Sequence, residues 1–405
     1  MTDAPLTIGM PTSTFLPALG GVEIGLHNIA TRLTARGHNP IILAPAHNVR
    51  ALREQRDQLP YKLTSFPPKM MTLIHHWPDL GTRFISTWLA WFDRNHGIDV
   101  WHGTVGFPTG VGLIRHAQGI RPHLVRCAGD DIQMAPGIGY GMRLDQRIDK
   151  LVREWLPQAD TLVAITESVV GEYAKLGVEP ERIRRIPNGV DLDRFAIEVD
   201  QATIRRQHNI PEDVFLYLAV GRNHPKKGYR DLLQATRNLV DRGETNFAVA
   251  IAGTATDQLA MDAAKLGILE HLHLLGALGQ ASLKEDWKLP SDDLVSLYRS
   301  ADAFVFPSHI ETFGIALVEA MAAGLPIITT DGPGCQDIIE DGQWGDMVPV
   351  GDTHALATAM QHMMHKADRR RKYAGRSRKR ASAFSWDHIV DQYVDVYRDI
   401  MAKTR

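Results

Sequence analysis

Short apolar runs alternate with longer helical patterns along the first half of the chain. The first run covers residues 6–10 and is followed by a loop ending in Gly20-Gly21 and a helical pattern that stops at Gly37. Later apolar runs predict buried strands at 40–44, 98–102, 123–127 and 161–165. Strands that alternate with helices predict a parallel, doubly wound α/β sheet.

The same alternation restarts after a turn-rich segment at residues 186–195. Further short strands are predicted at 215–220, 248–252, 273–275, 303–306 and 326–329. The pattern therefore predicts two Rossmann-like domains, at 1–195 and 196–383. Apolar positions at helical spacing predict an amphipathic terminal helix within 384–405, carrying Trp386, Ile389, Val390, Tyr393, Val394 and Tyr397.

Composition agrees with a globular protein of two domains. The chain has 405 residues, 44% of them hydrophobic and 23% charged, and its net charge is −2, so nucleic acid is not an expected partner. The histidines are scattered, and neither a metal nor another cofactor is expected. Two distant cysteines, Cys127 and Cys335, favour a reducing compartment, and the predicted location is cytoplasmic, with contact at the inner face of the membrane left open.

The most informative segment covers residues 307–324, where a strand leads through a loop into an apolar helix. Glu311 lies in the loop, Gly314 permits close backbone approach, and Glu319 lies in the helix. The helix N-terminus offers amides to a phosphate, and the two carboxylates can reach different hydroxyl groups. Glutamates usually lie on a helix surface, but the neighbours of Glu319 are apolar and predict burial. The segment predicts a site for a phosphorylated polyhydroxyl ligand.

Two further segments predict phosphate contacts. Arg222 and Lys227 follow the first strand of the second domain, at the sheet edge where ligands of parallel sheets bind, and Lys226 is expected to be a bystander. In the first domain, Gly20 and Gly21 permit backbone approach to a phosphate or sugar. The segment lacks the GxGxxG and GxxxxGK[ST] patterns, which argues against hydride transfer and P-loop chemistry.

In order, GGVE at 20–23, PNGVD at 187–191, GR at 221–222 with KKG at 226–228, and the glutamate motif resemble the retaining glycosyltransferases of family 4. The resemblance covers most of the chain. It implies the GT-B fold, with the donor cleft between two Rossmann-like domains and a terminal helix that crosses back to the first domain. The glutamate motif is its most specific part.

The resemblance also implies roles for individual residues. Arg222 and Lys227 would bind the donor diphosphate, Glu319 the ribose and Glu311 the donor sugar. The remaining donor contacts would come from backbone at Thr312, Phe313, Gly314 and Ile315, and from Gly276 and Ala277 near the base. A polar segment at 279–292, with Lys284, Asp286 and Lys288, is expected to form a donor-side or acceptor-side loop.

One departure from the family pattern concerns the first domain. Many members have a histidine where Ala128 stands in the segment 124–131. Asp130 or Asp131 would then contact the donor sugar or the acceptor, or His102 would approach from the neighbouring strand end. These three residues and Glu311 are the catalytic candidates.

The expected reaction moves a hexose from a UDP- or GDP-linked donor to a hydroxyl of a glycan, a lipid-linked acceptor or a small molecule, with retention of configuration. A transferase similar to sucrose-phosphate synthase and a nucleotide-sugar-binding subunit with impaired catalysis are the alternatives. The donor is one expected partner, whereas the acceptor and the oligomeric state are open.

An aromatic segment in the first domain suggests a further partner. Between residues 67 and 95 lie Trp77, Phe84, Trp88, Trp91 and Phe92, mixed with Arg83 and Arg94. The pattern suits a helix that touches a membrane or a lipid-linked acceptor. Packing of the helix on the sheet accounts for the same positions and is the favoured interpretation.

Overall fold

The computed structural model of the protein describes residues 4–68, 70–278, 287 and 289–404. Most of the polar segment expected to form a ligand-side loop, residues 279–286 and 288, lies outside the described residues. Contacts divide the chain into two compact units. Unit 1 comprises Met1–Asn188 with Trp386–Arg405, and unit 2 comprises Gly189–Ser385. The chain passes between the units at Asn188–Gly189, inside the turn-rich segment, and again at Ser385–Trp386.

Unit 1 contains a seven-stranded parallel sheet in the order β3-β2-β1-β4-β5-β6-β7. Its strands are β1 (Thr7–Pro11), β2 (Asn39–Ala44), β3 (Lys62–Ser65), β4 (Val100–Gly103), β5 (His123–Arg126), β6 (Thr161–Ala164) and β7 (Ile183–Arg185). The helices of its N-terminal part are α1 (Gly21–Ala35), α2 (Ala46–Ala51), α3 (Met70–His76), α4 (Pro78–His96), α5 (Val111–Ala117), α6 (Gln146–Trp155) and α7 (Glu167–Lys175).

Unit 2 contains a six-stranded parallel sheet in the order β10-β9-β8-β11-β12-β13. Its strands are β8 (Phe215–Val220), β9 (Phe247–Ala252), β10 (Leu272–Gly276), β11 (Ala303–Phe306), β12 (Ile327–Thr330) and β13 (Asp346–Val348). Its helices are α8 (Gln201–Gln207), α9 (Tyr229–Asp241), α10 (Ala260–Leu266), α11 (Asp292–Ser300), α12 (Ile315–Ala322), α13 (Cys335–Ile339), α14 (Thr353–His365) and α15 (Ala367–Ala381).

The two sheets confirm the α/β, doubly wound architecture predicted from the strand and helix pattern. In each sheet the chain moves outward in one direction and then returns to the centre to build the other half. The strand order therefore reverses between β1 and β4 in unit 1 and between β8 and β11 in unit 2. Open parallel sheets bind ligands at the carboxyl ends of the strands that flank such a reversal.

The terminal helix α16 (Trp386–Thr404) belongs to unit 1. Tyr397 hydrogen-bonds through its hydroxyl to Nδ1 of His102 at 2.7 Å, and Tyr393 stacks on the same imidazole. At the outer face of the helix, Arg36, which follows α1 directly, forms a 2.7 Å ion pair with Asp391. The apolar positions recognised in the sequence are thus the face by which α16 joins unit 1.

A membrane-spanning helix is not found in the part of the chain that the structure describes, because each helix there is too short or too polar to cross a bilayer.

Candidate functional site

Three of the residues predicted to bind the donor lie where the strand order of unit 2 reverses. Arg222 and Lys227 follow β8, and Glu311 follows the neighbouring strand β11. The two segments approach so closely that a Cβ atom on Gly228 would lie 2.0 Å from the carbonyl oxygen of Pro307. Gly228 also has a φ of +64°, which favours glycine. This close backbone approach brings the end of KKG against the start of the glutamate motif.

An ion pair joins the two segments. The Nζ atom of Lys227 lies 2.5 Å from Oε1 of Glu311, and it also lies 4.6 Å from the ring centre of Phe306. Burial by itself raises the pKa of Glu311, but the charges of Lys227 and Lys226 outweigh burial and hold the pKa below its ordinary value. Burial lowers the pKa of Lys227, and the charge of Glu311 opposes that change. The site therefore contains a carboxylate held in its charged form by adjacent ammonium groups.

Two more residues join this pair. From the sequence alone Lys226 is expected to be a bystander, yet its Nζ atom lies 3.6 Å from Oε2 of Glu311. The Ser308 hydroxyl donates a hydrogen bond of 3.2 Å to Oε1 of the same carboxylate. The motif KKG already carried a signal for Lys226, whereas only the fold shows that both lysines reach one carboxylate.

Arg222 lies directly beyond β8 and is exposed. The preceding residue, Gly221, accepts a 3.0 Å hydrogen bond from the Tyr229 hydroxyl, which ties the strand end to the start of α9. On the other side of Gly221, a Cβ atom on Gly253 would lie 2.0 Å from the Gly221 carbonyl oxygen. The backbone beneath Arg222 is thus held in place while its guanidinium remains accessible to an anion.

The loop after Glu311 leads into the N-terminus of α12. Thr312, Phe313 and Gly314 are buried, Ile315 is half-buried, and Gly314 has a φ of +85° at the residue before the helix. The first amides of a helix have no partner within it and are suited to bind an anion. The structure therefore places these four residues beside the ion pair at the start of a helix.

Glu319 lies on α12 and is buried, as its apolar neighbours predict. The Tyr298 hydroxyl of α11 donates a 2.9 Å hydrogen bond to Oε2 of Glu319. Burial raises the pKa of Glu319 to about 7, although the bond from Tyr298 acts in the opposite direction. Tyr298 precedes Glu319 by 21 residues and has no local sequence signal. A carboxyl group with this pKa can be neutral or charged near pH 7.

The substitution Glu319→Gln tests this protonation. The folded pKa of about 7 is higher than the ordinary 4.5, so the protonated carboxyl contributes stability below pH 4.5 that is lost as the pH rises through 7. Glutamine imitates the protonated form. We expect wild type and variant to be similar at pH 5 and the variant to be more stable at pH 8, by up to roughly 3 kcal/mol in urea unfolding.

Glu270→Gln is the control for that measurement, because Glu270 is in the same unit and its side chain is highly exposed. It is expected to change the free energy of unfolding little at either pH. A Glu319→Gln variant that is less stable than wild type at pH 8 would show that Glu319 is charged and favourably placed in the ligand-free protein.

The residues expected near the base lie at the end of β10. Gly276 has a φ of +65°, and its carbonyl oxygen accepts a 2.7 Å hydrogen bond from the amide of Gly253. The Thr256 hydroxyl accepts a bond of 3.1 Å from the amide of Gly276. Ala277 is exposed next to it. Gly276 is therefore linked through Gly253 to the turn that carries Arg222.

In unit 1 the glycine loop forms the start of α1. Gly20 is the N-cap, and Gly21 is the first helical residue and is exposed. Glu23 is buried in the first turn and accepts a hydrogen bond from the Thr14 hydroxyl. A Cβ atom on Gly20 would lie 2.7 Å from Oε2 of Glu23. The glycine thus leaves room for a buried carboxylate at this end of the sheet.

The catalytic candidates of unit 1 have different environments. His102 is fully buried beneath α16, and burial, with a smaller effect of the Arg126 charge, lowers its pKa to about 3. Asp131 is also buried and accepts hydrogen bonds from the amides of Gly106 and Gly129 at 2.6 Å each. Asp130 is half-buried. His102 and Asp131 therefore make internal contacts of unit 1, and Asp130 is the most accessible of the three.

Within the described residues, 4–404 with the gaps stated above, we find no group of three or more histidine, cysteine or carboxylate side chains that could hold a metal ion. The expectation of a metal-free reaction itself stays a prediction.

Fold and site together define a class of protein. Two doubly wound parallel sheets, with cations, buried carboxylates and a helix N-terminus gathered at the strand reversal of the second, are typical of nucleotide-dependent enzymes of the α/β class.

Comparison with known families specifies the class further. The family model described as glycosyl transferases group 1 matches residues 200–380, and the model described as glycosyltransferase family 4 matches residues 19–194. Together the two models match most of the chain, so the chain belongs to the glycosyltransferases that they describe. This confirms the resemblance seen in the sequence motifs.

Three known proteins illustrate the relationship. The D-inositol 3-phosphate glycosyltransferase of Geodermatophilus obscurus is 34% identical over 254 residues, covering 59% of this chain and 52% of that protein. D-inositol 3-phosphate glycosyltransferase 2 of Catenulispora acidiphila is 28% identical over 402 residues, covering 93% and 86%. The Anabaena protein HepE, solved in complex with UDP, has a TM-score of 0.76 and 18% identity, covering 97% and 100%.

The likeness is partial in length for one of these proteins and low in sequence identity for another. The matching part of the chain spans about half the length of the Geodermatophilus relative. At 18% identity the likeness to HepE shows the fold alone, and it confirms the GT-B fold predicted from the motifs.

Proposed function

We propose that this protein is a retaining glycosyltransferase that moves a hexose from a UDP- or GDP-linked donor to an acceptor hydroxyl. The observation that carries the proposal is the cluster of Lys226, Lys227 and Glu311 beside the start of α12, at the strand reversal of unit 2. Such a cluster offers positive charge and backbone amides to a diphosphate. The solved complex of HepE with UDP supports a nucleotide ligand for this fold.

The diphosphate would bind to Arg222, Lys227 and the amides at 312–315. When the bond between the anomeric carbon and the diphosphate breaks, negative charge develops on the departing oxygen, and cations fixed beside it stabilise the transition state more than the ground state. Lys227 is held by Glu311 before the donor arrives, so little reorganisation is needed.

Glu311 and Glu319 would bind hydroxyl groups of the donor. A carboxylate accepts hydrogen bonds from two hydroxyls at once, which suits a sugar for Glu311 and a ribose for Glu319. The charged carboxylate is a stronger acceptor than the neutral carboxyl group, so a donor that binds Glu319 is expected to lower its pKa and release a proton near pH 7.

Attack by the acceptor hydroxyl on the face that the diphosphate leaves would retain the configuration at the anomeric carbon. The hydroxyl proton would pass to the departing diphosphate, so a metal ion is not required for charge balance. Of the three unit 1 candidates, Asp130 is the one accessible enough to contact the sugar or the acceptor. The names of the relatives make D-inositol 3-phosphate the first acceptor to test.

The test is a panel of UDP-, GDP- and ADP-sugars, scored by thermal shift and by nucleotide release, first without acceptor and then with D-inositol 3-phosphate and other sugar phosphates. We expect one donor to stabilise the protein and to be consumed with an acceptor. NMR of the product is expected to show the anomeric configuration of the donor, and an inverted product would refute the retaining mechanism. Binding without turnover across the panel would favour the alternative of a nucleotide-sugar-binding subunit.

A further inference from the structure

Helix α4 carries an apolar stripe that faces solvent. Trp77, directly before the helix, is 62% exposed, Leu80 is 54%, Phe84 is 42% and Trp91 is 57% exposed. At 3.6 residues per turn these four positions fall on one narrow side of the helix. The favoured sequence interpretation, that the aromatic residues pack on the protein, is therefore wrong for Trp77, Phe84 and Trp91.

The opposite side of α4 holds the helix in place. Ile85, Leu89 and Phe92 are buried on that side. Gly81 packs so tightly against α3 that a Cβ atom there would lie 2.6 Å from Ile74. The exposed stripe is therefore a different side of α4 from the side that packs against the rest of unit 1. The helix that carries the stripe is firmly packed.

Aromatic contacts extend the stripe toward a small cavity. Trp88 lies 6.3 Å from Trp91 and 5.0 Å from Phe66, measured between ring centres. Phe66 lines a cavity of about 240 Å³ at the carboxyl ends of β2 and β3, together with Met70, His47 and the cationic Arg50. The apolar surface therefore ends beside side chains that can meet an anionic group.

The charges around the stripe are predominantly positive. Asp79 is bound by both Arg83 and Arg115, and the buried Asp93 is bound by Arg121. Both carboxylates of α4 are thereby neutralised, while Arg94 on the same helix is exposed. A helix with an outward aromatic stripe and flanking arginines has the character of helices that lie at the surface of an anionic bilayer.

We propose that the outward stripe of α4 docks unit 1 on the surface of an anionic lipid membrane. A second copy of the chain is a poorer occupant, because three half-exposed aromatic rings offer roughly 300 Å² where a stable dimer buries roughly 800 Å² per partner. Tryptophan prefers the boundary between lipid and water, where its ring is buried and its N–H stays hydrated.

The test is sedimentation of the full-length protein with phosphatidylcholine vesicles, with and without phosphatidylglycerol. We expect binding to the anionic vesicles that weakens with salt, and a blue shift of tryptophan emission. The double substitution W77Q/W91Q is expected to weaken partitioning by at least roughly tenfold, and R94Q is expected to weaken only the binding that depends on phosphatidylglycerol.

The matched control is I120Q/M261Q, because Ile120 and Met261 are also large, apolar and strongly exposed but lie off the stripe. It should bind vesicles as wild type does, and thermal unfolding should show that both double variants are folded. Wild-type protein that stays in the supernatant with anionic vesicles would overturn the proposal. So would equal binding of W77Q/W91Q, or a dimer in solution that this variant abolishes. R222A is expected to bind vesicles as wild type does, because the proposed docking surface does not include Arg222.

Discussion

Replacing Lys227 by alanine is expected to lower kcat/KM for sugar transfer by roughly 10³-fold. Lys227 is half-buried, is fixed by its 2.5 Å contact with Glu311 and packs over Phe306, so its charge is held in place for a departing diphosphate. Most of the loss should fall on kcat, because the leaving group is more negative in the transition state than in the bound donor. Steady-state kinetics with the donor selected by the panel measure the effect.

Lys265→Ala is the matched control, since Lys265 is a highly exposed lysine of the same unit and forms only a 3.7 Å contact with Asp262. It should retain wild-type kinetics. Arg222→Ala, which removes an exposed cation without breaking a buried pair, should weaken nucleotide binding with little change in the melting temperature. Wild-type turnover by Lys227→Ala would exclude this lysine from stabilisation of the leaving group.

Glu311→Gln is expected to lower the free energy of unfolding by roughly 3 kcal/mol, because it leaves two partly buried ammonium groups without a counter-charge. The pKa of Glu311 is below its ordinary value, so the carboxylate contributes stability above pH 4.5 that is lost as the pH falls through the folded pKa. The difference between variant and wild type should therefore shrink on acidification. Urea unfolding at pH 7 and at pH 4 checks both the size and the sign.

The melting temperature in the presence of pyrophosphate tests whether this stability change belongs to the proposed site. Pyrophosphate is expected to raise the melting temperature of Glu311→Gln more than that of wild type, because it replaces the missing negative charge beside Lys226 and Lys227. The control is Glu212→Gln, which breaks an exposed pair with Arg206 and should cost less than about 1 kcal/mol. Equal effects of the two substitutions would show that the buried pair contributes no more than an exposed one.

The apolar pattern does not predict β3, β7 or β13, and all three are edge strands. Lys62–Ser65 and Ile183–Arg185 are the two edges of the unit 1 sheet, and Asp346–Val348 is an edge of the unit 2 sheet. Central strands of a parallel sheet are covered on both faces and appear as continuous apolar runs. Edge strands are short and carry charged residues, so apolar periodicity gives no signal for them.

The two units differ in how far their sequence indicates a candidate site. Arg222, Lys227, Glu311 and Glu319 carry recognisable motifs because a phosphate-binding turn and a helix start are local structures. In unit 1 the same kind of reasoning selected His102 and Asp131, which the structure shows buried in contacts with Tyr397 and with backbone amides. Strand-end position alone does not distinguish a side chain that faces a ligand from one that supports the fold.

The sequence by itself determined the α/β class, the restart of the pattern in a second unit and the chemical types gathered at the end of β8 and β11, because all three depend on residues close together in the chain. Only the tertiary structure decided which groups meet. Lys227 and Glu311 are 84 residues apart, and their pairing depends on how neighbouring strands pack. The pKa of Glu319 and the exposure of the α4 stripe likewise follow from burial, which is set by every element packed around a side chain rather than by its own segment.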